Sequence, residues 1–164
     1  MTTSEDGINW SKRRNMGAPI NNDKANNLAA VSADNNMLIF CNSDGFQVRR
    51  RTAEGWSDLE YLNVRFSNEA KHMEASLSAD GKAILFTVQL KSNINYRSNY
   101  EERDIYVTVQ DDNGIWSNPI NLGTTINTSY DETSPFLASD GRTLYFASSG
   151  RPGYGGTDIY MSKR

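Results

Sequence analysis

Short apolar runs separated by turn residues recur along the chain. Apolar residues occupy both odd and even positions in MLIFCN (37–42), AILFTV (83–88) and TLYFAS (143–148). A strand with one solvent-facing side would alternate, so these runs predict strands in sheets that are covered on both faces. Each run follows an Asp-containing turn, ADN, ADG or SDG. Such turns favour tight hairpins, because Gly and Asx residues tolerate positive φ.

The three tryptophans mark an internal repeat. An aspartate lies 24 residues after each of Trp10, Trp56 and Trp116, and a phenylalanine follows each aspartate by six residues. The aspartates and phenylalanines are Asp34, Asp80, Asp140, Phe40, Phe86 and Phe146. Triplets of the form Asp-x-aromatic begin at Asp44, Asp104 and Asp158. Equal spacings in three copies predict one supersecondary unit that is repeated three times.

Each repeat is predicted to form four strands. The first two flank the Asp turn, the third begins at the Asp-x-aromatic triplet, and the fourth begins at the tryptophan. Four-stranded sheets stacked around an axis are typical of β-propeller blades. The sequence therefore predicts an all-β fold and a single propeller segment over residues 1–164. Its repeats cover approximately 10–56, 56–116 and 116–164, and an N-terminal strand completes the last blade.

The last repeat resembles a known family. The run DETSPFLASDGRTLYFASSGRPGYGGTDIYMSKR is similar to the TolB-like (WD-like) propeller repeat, with its Ser-Pro, Asp-Gly and Gly-x-Asp-Ile-Tyr signature. Its Tyr-Gly-Gly-x-Asp-Ile-Tyr ending resembles copies found beside OmpA-like, peptidoglycan-associated domains of bacterial envelope proteins. The second repeat keeps SADGKAILF and RDIY, and the first keeps ADN and DGF. The resemblance implies a propeller of about six blades and a periplasmic or envelope setting, where such repeats act in protein assembly.

The two ends of the chain carry complementary parts of one blade. The third repeat has no tryptophan strand after Tyr160, whereas the Trp10 strand has no three strands before it. Three blades are fewer than the roughly four to eight of known rings, and a lone stack would expose apolar faces. Two solutions are expected. Either two chains pair head-to-tail as a six-bladed homodimer, or the chain is half of a longer propeller.

Composition narrows the classes of function and location. A net charge of −3 argues against a nucleic-acid-binding surface, and the basic clusters at 12–14 and 49–51 are interpreted as solvated strand ends. No apolar run is long enough for membrane insertion, and no signal-peptide pattern is present. A cytoplasmic location is therefore expected if Met1 is the natural start. Cys41, the only cysteine, is predicted to be a buried, inert thiol. No metal or cofactor is predicted.

Unequal loop lengths predict which face of the propeller binds a ligand. One face carries tight turns, and the other carries the segments 91–103, 122–132 and 148–156. Long loops on a rigid scaffold are where binding residues concentrate. Because Tyr and Arg dominate interface hot spots, the predicted contacts are Tyr96, Arg97, Tyr100 and Tyr154. The predicted function is a non-catalytic recognition scaffold for a protein or glycan ligand.

A second group of candidates lies on the first strands, which line the axis. Asn26, His72 and Glu132 occupy equivalent positions before their Asp turns, and are predicted binding residues near the tunnel mouth. Glu74 points to the same side of its strand as His72. A histidine with two carboxylates can perform acid/base chemistry on a glycan. His72, Glu74 and Glu132 therefore give the alternative, a carbohydrate-active propeller of the glycoside hydrolase or lyase type.

Overall fold

The computed structural model describes residues 6–21, 27–42, 45–66, 68, 73–91, 93 and 102–164. These residues form strands, turns and bends, and none of them belongs to a helix that could span a membrane. In chain order the strands are β1 (Leu28–Val31), β2 (Met37–Asn42), β3 (Gly45–Thr52), β4 (Gly55–Trp56), β5 (Glu60–Arg65), β6 (Ala75–Leu77), β7 (Ala83–Val88), β8 (Asp104–Val109), β9 (Ile120–Asn121), β10 (Glu132–Leu137), β11 (Thr143–Ser148) and β12 (Asp158–Lys163).

The strands form three antiparallel sheets, which confirms the all-β, blade-like fold. The first sheet has the order β1-β2-β3-β4, with β5 also paired to β3. The second sheet is β6-β7-β8-β9, and the third is β10-β11-β12. The strand numbers differ from four in two sheets. In the first sheet β4 and β5 both pair with β3, as an interrupted fourth strand. The third sheet has three strands among the described residues, as the sequence predicts.

The three Asp turns adopt one conformation, which fixes the hairpin at the start of each blade. Asn35, Gly81 and Gly141 follow the turn aspartates, and all three have positive φ, at 58°, 73° and 65°. Asn and Gly adopt this left-handed conformation more readily than other residues. The sequence prediction of tight hairpins at these positions is confirmed.

The sheets pack face to face through two apolar clusters. Between the first and second sheets, Phe46, Phe86 and Trp116 are buried with aliphatic residues of β2, β5 and β7. Between the second and third sheets the cluster is smaller. Its buried members are Leu85, Ile105, Ile126, Leu144 and Phe146. Both faces of β7 are therefore covered, as the apolar residues at odd and even positions predict.

The two outer faces of the stack differ. Ile20, from the N-terminal segment, packs on Leu38 and Phe40 and covers part of the outer face of the first sheet. The outer face of the third sheet exposes large apolar side chains. They are Phe136, Tyr145, Ile159 and Met161. The expectation of apolar faces at the ends of the stack therefore holds mainly for the third sheet.

The segment around Trp10 does not complete the third sheet of its own chain. Residues 6–21 contain turns and bends and no strand, and Trp10 is 65% exposed. The pairing of this segment with another copy stays a prediction.

Two smaller predictions need correction. Arg49 is buried rather than solvated, because its Nη1 donates a 2.5 Å hydrogen bond to the Ser57 carbonyl. Cys41 is half-buried rather than fully buried. Its burial still raises the pKa of the thiol, which keeps it in the unreactive protonated form.

Candidate binding face

The connections at the two ends of the strands differ in length. The turns after β1, β6 and β10 have five residues each, whereas the connections 122–131 and 149–157 have ten and nine. Because neighbouring strands are antiparallel, these two sets of connections lie at opposite ends of the strands. We call the end that carries 122–131 and 149–157 the long-loop face. It is the face that the sequence predicts to bind a ligand.

The loop 122–131 is held to the second sheet by a buried amide. Asn127 Oδ1 accepts a 2.8 Å hydrogen bond from Ile105 N, and Asn127 Nδ2 donates a 3.0 Å bond to Ile105 O. Asn127 is almost fully buried. Leu122 N also donates to Ile105 O, at 3.2 Å. Both backbone polar groups of Ile105 are thus bonded to the segment 122–127, so the loop is fixed close to the strand.

An ion pair fixes the end of the same loop. Arg103 donates from Nε to Asp131 Oδ1 at 2.9 Å and from Nη2 to Asp131 Oδ2 at 2.7 Å. The Asp131 carboxylate also accepts from Arg103 N at 3.0 Å. Both side chains are mostly shielded from solvent. Two parallel bonds between a guanidinium and a carboxylate restrain orientation as well as distance, so the loop leaves the second sheet in one direction.

Glu132, a predicted binding and catalytic residue, is completely buried. Its Oε1 accepts from Thr128 Oγ1 at 2.6 Å and from Ser148 Oγ at 2.7 Å, and its Oε2 accepts from Thr128 N at 2.8 Å. The carboxylate therefore joins the loop 122–131 to β10 and β11. In this conformation its side chain has no access to solvent, and ligand contact by Glu132 stays a prediction.

Arg151 holds the loop 149–157 to its surroundings through hydrogen bonds and ring contacts. Its Nη2 donates to the carbonyls of Thr125 and Ile126 at 2.7 and 3.0 Å, which joins the two long loops. The guanidinium also lies over the rings of Phe146 and Tyr160, at 5.8 and 6.0 Å from the ring centroids. Cation–π contacts of this kind add attraction to the hydrogen bonds.

Further contacts close the same loop on itself. Tyr160 donates its hydroxyl to Pro152 O at 2.9 Å, and Asp158 Oδ2 accepts from Gly155 N at 3.1 Å. Gly150 allows the two long loops to touch, because a Cβ there would collide with Thr128 and with the ring of Tyr130. The loop 149–157 is therefore closely packed at its base.

Two tyrosines project from this fixed base. Tyr154, a predicted contact residue, is fully exposed at the tip of 149–157. Tyr130 is 56% exposed on the adjoining loop. The sequence analysis named the loop of Tyr130 but not the residue. Its position beside a glycine-rich loop with an exposed tyrosine is the signal that could have found it.

Glu74 is placed differently from Glu132. It is exposed, and its Oε2 accepts a short hydrogen bond from Ser134 N on β10 of the third sheet. The carboxylate of Glu74 therefore bridges two neighbouring blades near their first strands. Because Glu132 is buried and Glu74 is bound to backbone, the two carboxylates do not form an open pair in this structure.

The other predicted site residues lie outside the described part of the chain. They are Asn26, His72, Tyr96, Arg97 and Tyr100. Their roles stay predictions. Among the residues that the structure describes, no three His, Cys, Asp or Glu side chains are grouped so that they could hold a metal ion.

The opposite, tight-turn face carries the turn aspartates and a cleft. Hydrogen bonds from Ser32 and Asn36 lower the pKa of Asp34, and those from Ser78 and Lys82 N lower the pKa of Asp80. These carboxylates are charged near neutral pH and are used within their own turns. The cleft, of about 530 Å³, separates the turns of the first and second sheets, and its lining includes Trp116. The sequence analysis did not predict it.

Comparison with known proteins supports the fold. The structure of TolB from Acinetobacter baumannii is similar over 84% of this chain, with a TM-score of 0.51 and 19% sequence identity. The match covers 30% of that protein, so this chain spans less than a third of its length. No family model and no curated protein matches the sequence. At this identity the similarity shows the fold alone. The chain has a TolB-like β-propeller fold, of which it supplies three consecutive blades.

Proposed function

We propose that this chain is a non-catalytic recognition scaffold that binds a protein or glycan through its long-loop face. The observation that carries the proposal is Tyr154, a fully exposed aromatic side chain on a loop whose base is held by Arg151 and Tyr160. Tyr130 adds a second exposed aromatic ring beside it. The TolB-like fold supports a scaffold role. The class of ligand, a protein or a glycan, is part of the proposal.

Preorganisation is the physical reason for choosing this face. Ordering a loop or a long side chain on binding costs free energy, and a loop fixed beforehand avoids much of that cost. Tyrosine offers a large contact area with few rotatable bonds, together with a hydroxyl for hydrogen bonding. The hydrogen bonds of Arg151 and Asp158 are therefore expected to raise affinity without touching the ligand.

The contacts of the two carboxylates favour the scaffold over the carbohydrate-active alternative. General acid/base catalysis requires a carboxyl group that can reach a substrate. Glu132 is buried among three hydrogen-bond donors, and Glu74 is bound to Ser134 N. If the chain is a scaffold, the Glu74→Gln variant and the wild-type chain should give the same rate when cleavage of a polysaccharide is measured. A loss of measurable cleavage would favour the enzyme.

The binding proposal can be tested with matched tyrosine variants. The purified chain is screened against a bacterial polysaccharide array and a panel of purified envelope proteins. Its affinity for each hit is then measured with Tyr154→Ala, Tyr130→Ala and Tyr61→Ala. Tyr61 is 69% exposed on β5, away from the long loops, and serves as the control. We expect at least a roughly tenfold loss of affinity for Tyr154→Ala and no change for Tyr61→Ala. Equal affinities for all three variants would contradict the proposal.

A periplasmic or envelope location is proposed on the resemblance of the last repeat to repeats of envelope proteins. Fractionation of cells that express the full reading frame tests it. Recovery of the protein in the cytoplasmic fraction would contradict this location.

A further inference from the structure

Two segments of the chain share a sequence pattern, although only one of them belongs to a blade and a long loop. WSKRRNMGAPIN (10–21) and WSNPINLGTTIN (116–127) have equal length and the same residue at six of twelve positions. The second segment follows β8 and includes β9. Its residues 121–127 lead toward the third sheet, and we call them the corner. We call residues 10–21 the N-terminal arm.

The corner after the second sheet has a defined hydrogen-bond pattern. Asn121 Oδ1 accepts from Gly123 N at 2.7 Å and from Asn127 Nδ2 at 2.8 Å. The backbone N of Asn127 donates to Gly123 O at 2.8 Å, and Gly123 has a φ of 72°. This pattern presents the Asn127 side chain to the backbone of Ile105.

The N-terminal arm has the same pattern in its own chain. Asn15 Oδ1 accepts from Gly17 N at 2.7 Å and from Asn21 Nδ2 at 2.8 Å. The backbone N of Asn21 donates to Gly17 O at 2.9 Å, and Gly17 has a φ of 67°. The arm is therefore already folded as a corner that follows a fourth strand, although no third strand lies beside it among the described residues.

The third sheet offers the strand that such a corner would hold. Ile159 pairs with Ala147 as Ile105 pairs with Thr87, so Ile159 corresponds to Ile105 and Asp158 to Asp104. In the second sheet, Asn121 Nδ2 donates to Asp104 Oδ2 at 2.7 Å. On β12 the corresponding edge is unpaired within the described residues, and Ile159 is 72% exposed.

The apolar residues that form one cluster between the second and third sheets have counterparts on the two outer faces of the stack. The cluster between the second and third sheets combines Leu85 and Ile105 of one sheet with residues of the corner and of the next sheet. By repeat position, Ile20, Leu38 and Phe40 correspond to Ile126, Leu144 and Phe146, and they form the cluster on the first sheet. The counterparts of Leu85 and Ile105 are Tyr145 and Ile159, which are exposed on the third sheet.

The position of Trp10 follows from the same register. Gln110 pairs with Trp116 through an isolated bridge, and Arg51 pairs with Trp56. Arg164 occupies the corresponding position directly after β12, because its backbone N donates to Arg142 O as that of Gln110 donates to Lys82 O. Arg164 lines a cleft of about 390 Å³ between the second and third sheets, together with apolar residues of both.

We propose that the N-terminal arm of one copy of this chain closes the third sheet of a second copy. Trp10 enters the cleft beside Arg164, Asn15 binds Asp158, and Asn21 binds the backbone of Ile159. Two copies give six blades, within the range of about four to eight for closed rings. Because the contact joins different surfaces, it closes only as a ring. The proposal does not depend on the long-loop face and can fail separately from the proposed function.

The solution mass of the full chain tests the proposal. Light scattering after gel filtration is expected to give twice the 18.4 kDa of one chain. Trp10→Ala is expected to raise the dissociation constant of the dimer at least about 30-fold, as loss of an aromatic hot spot does. Asn21→Ala is expected to weaken the dimer in the same direction. Tyr154→Ala, which removes an exposed aromatic residue from the long-loop face, is expected to leave the mass unchanged.

A second measurement guards against variants that fail to fold. In the wild-type protein, amide exchange at Ile159 is expected to slow as the protein concentration rises, because Ile159 N then donates a hydrogen bond to Asn21 Oδ1 of the second copy. A chain that stays at 18.4 kDa with fast exchange at Ile159 would overturn the proposal, and a strand from elsewhere in a longer polypeptide would then be the occupant. An unchanged dissociation constant for folded Trp10→Ala would also overturn it.

Discussion

The two contacts between neighbouring sheets use the same repeat positions with different chemistry. Between the first and second sheets, the Phe86 ring lies 5.0 Å from Phe46, 4.9 Å from Phe66 and 6.1 Å from Tyr106, measured between centroids. Between the second and third sheets, Phe146 has one aromatic neighbour among the described residues, Tyr160, at 5.9 Å. The second contact has fewer rings, and two of its buried polar side chains, Glu132 and Asn127, hold the loop 122–131.

This difference separates packing from positioning. Aromatic packing is attractive over many orientations, so it stabilises the stack without fixing each loop. Buried hydrogen bonds are costly to break and demand a single geometry. Glu132 and Asn127 bind the loop 122–131, which carries Tyr130 and touches the loop of Tyr154 at Gly150. The repeat thus provides a common sheet, and the polar additions provide the fixed loops of one blade.

The largest expected effect comes from removing the Phe86 side chain. Phe86→Ala is expected to reduce the free energy of unfolding by about 4–5 kcal/mol, near the upper end for buried phenylalanines. Phe146→Ala at the same repeat position should cost about 3 kcal/mol, because its surroundings contain fewer rings. Urea denaturation of both variants measures the difference. An equal or larger loss for Phe146→Ala would contradict the aromatic account of the first contact.

How much of this contrast the sequence could predict depends on the kind of residue. Phe86 and Phe146 were predictable as core, because the repeat spacing and the two-sided apolar strands require it. The role of Asn127 was not, because an amide in a Thr-rich loop looks the same whether it faces solvent or the Ile105 backbone. Glu132 was predicted at an axial mouth, but Thr128 and Ser148 draw its carboxylate into the interior. Such polar contacts depend on how the loop 122–131 folds back on its neighbours, and periodicity carries no information about that.

The next effect concerns the buried carboxylate of the second contact. Glu132→Ala leaves Thr128 N and two hydroxyls without their acceptor and is expected to cost about 2–3 kcal/mol. Glu132→Gln serves as the control. Its amide can accept from Thr128 N and donate to the hydroxyls, so a loss below about 1 kcal/mol is expected. Denaturation curves of the two variants give both values. Equal losses would show that the charge itself, rather than the hydrogen bonds, stabilises this contact.

A smaller effect is expected at the ion pair that directs the loop 122–131. Arg103→Lys keeps the charge but loses the paired bonds to Asp131, and should cost about 1 kcal/mol. A double-mutant cycle with Asp131→Ala isolates the coupling between the two side chains. The variant should also increase amide exchange around Tyr130, because the loop loses its restraint. Unchanged exchange there would mean that Asn127 alone positions the loop.

The smallest effect is expected on the tight-turn face, at Asp140 in the turn between β10 and β11. Hydrogen bonds from Thr143 Oγ1, Arg142 N and Thr143 N lower the pKa of Asp140 from 3.8 to about 2. In the unfolded chain the carboxyl takes up its proton near the ordinary value, so the unfolded state binds more protons between these two pH values. The stability contributed by Asp140 is therefore complete above pH 3.8 and is lost as the pH falls toward about 2. Asp140→Asn should flatten the decline of Tm in this window, while Asp34 and Asp80 keep their share of it. A decline as steep as in the wild-type protein would place the acid sensitivity elsewhere, with the carboxylates that hold the sheets together as the next candidates.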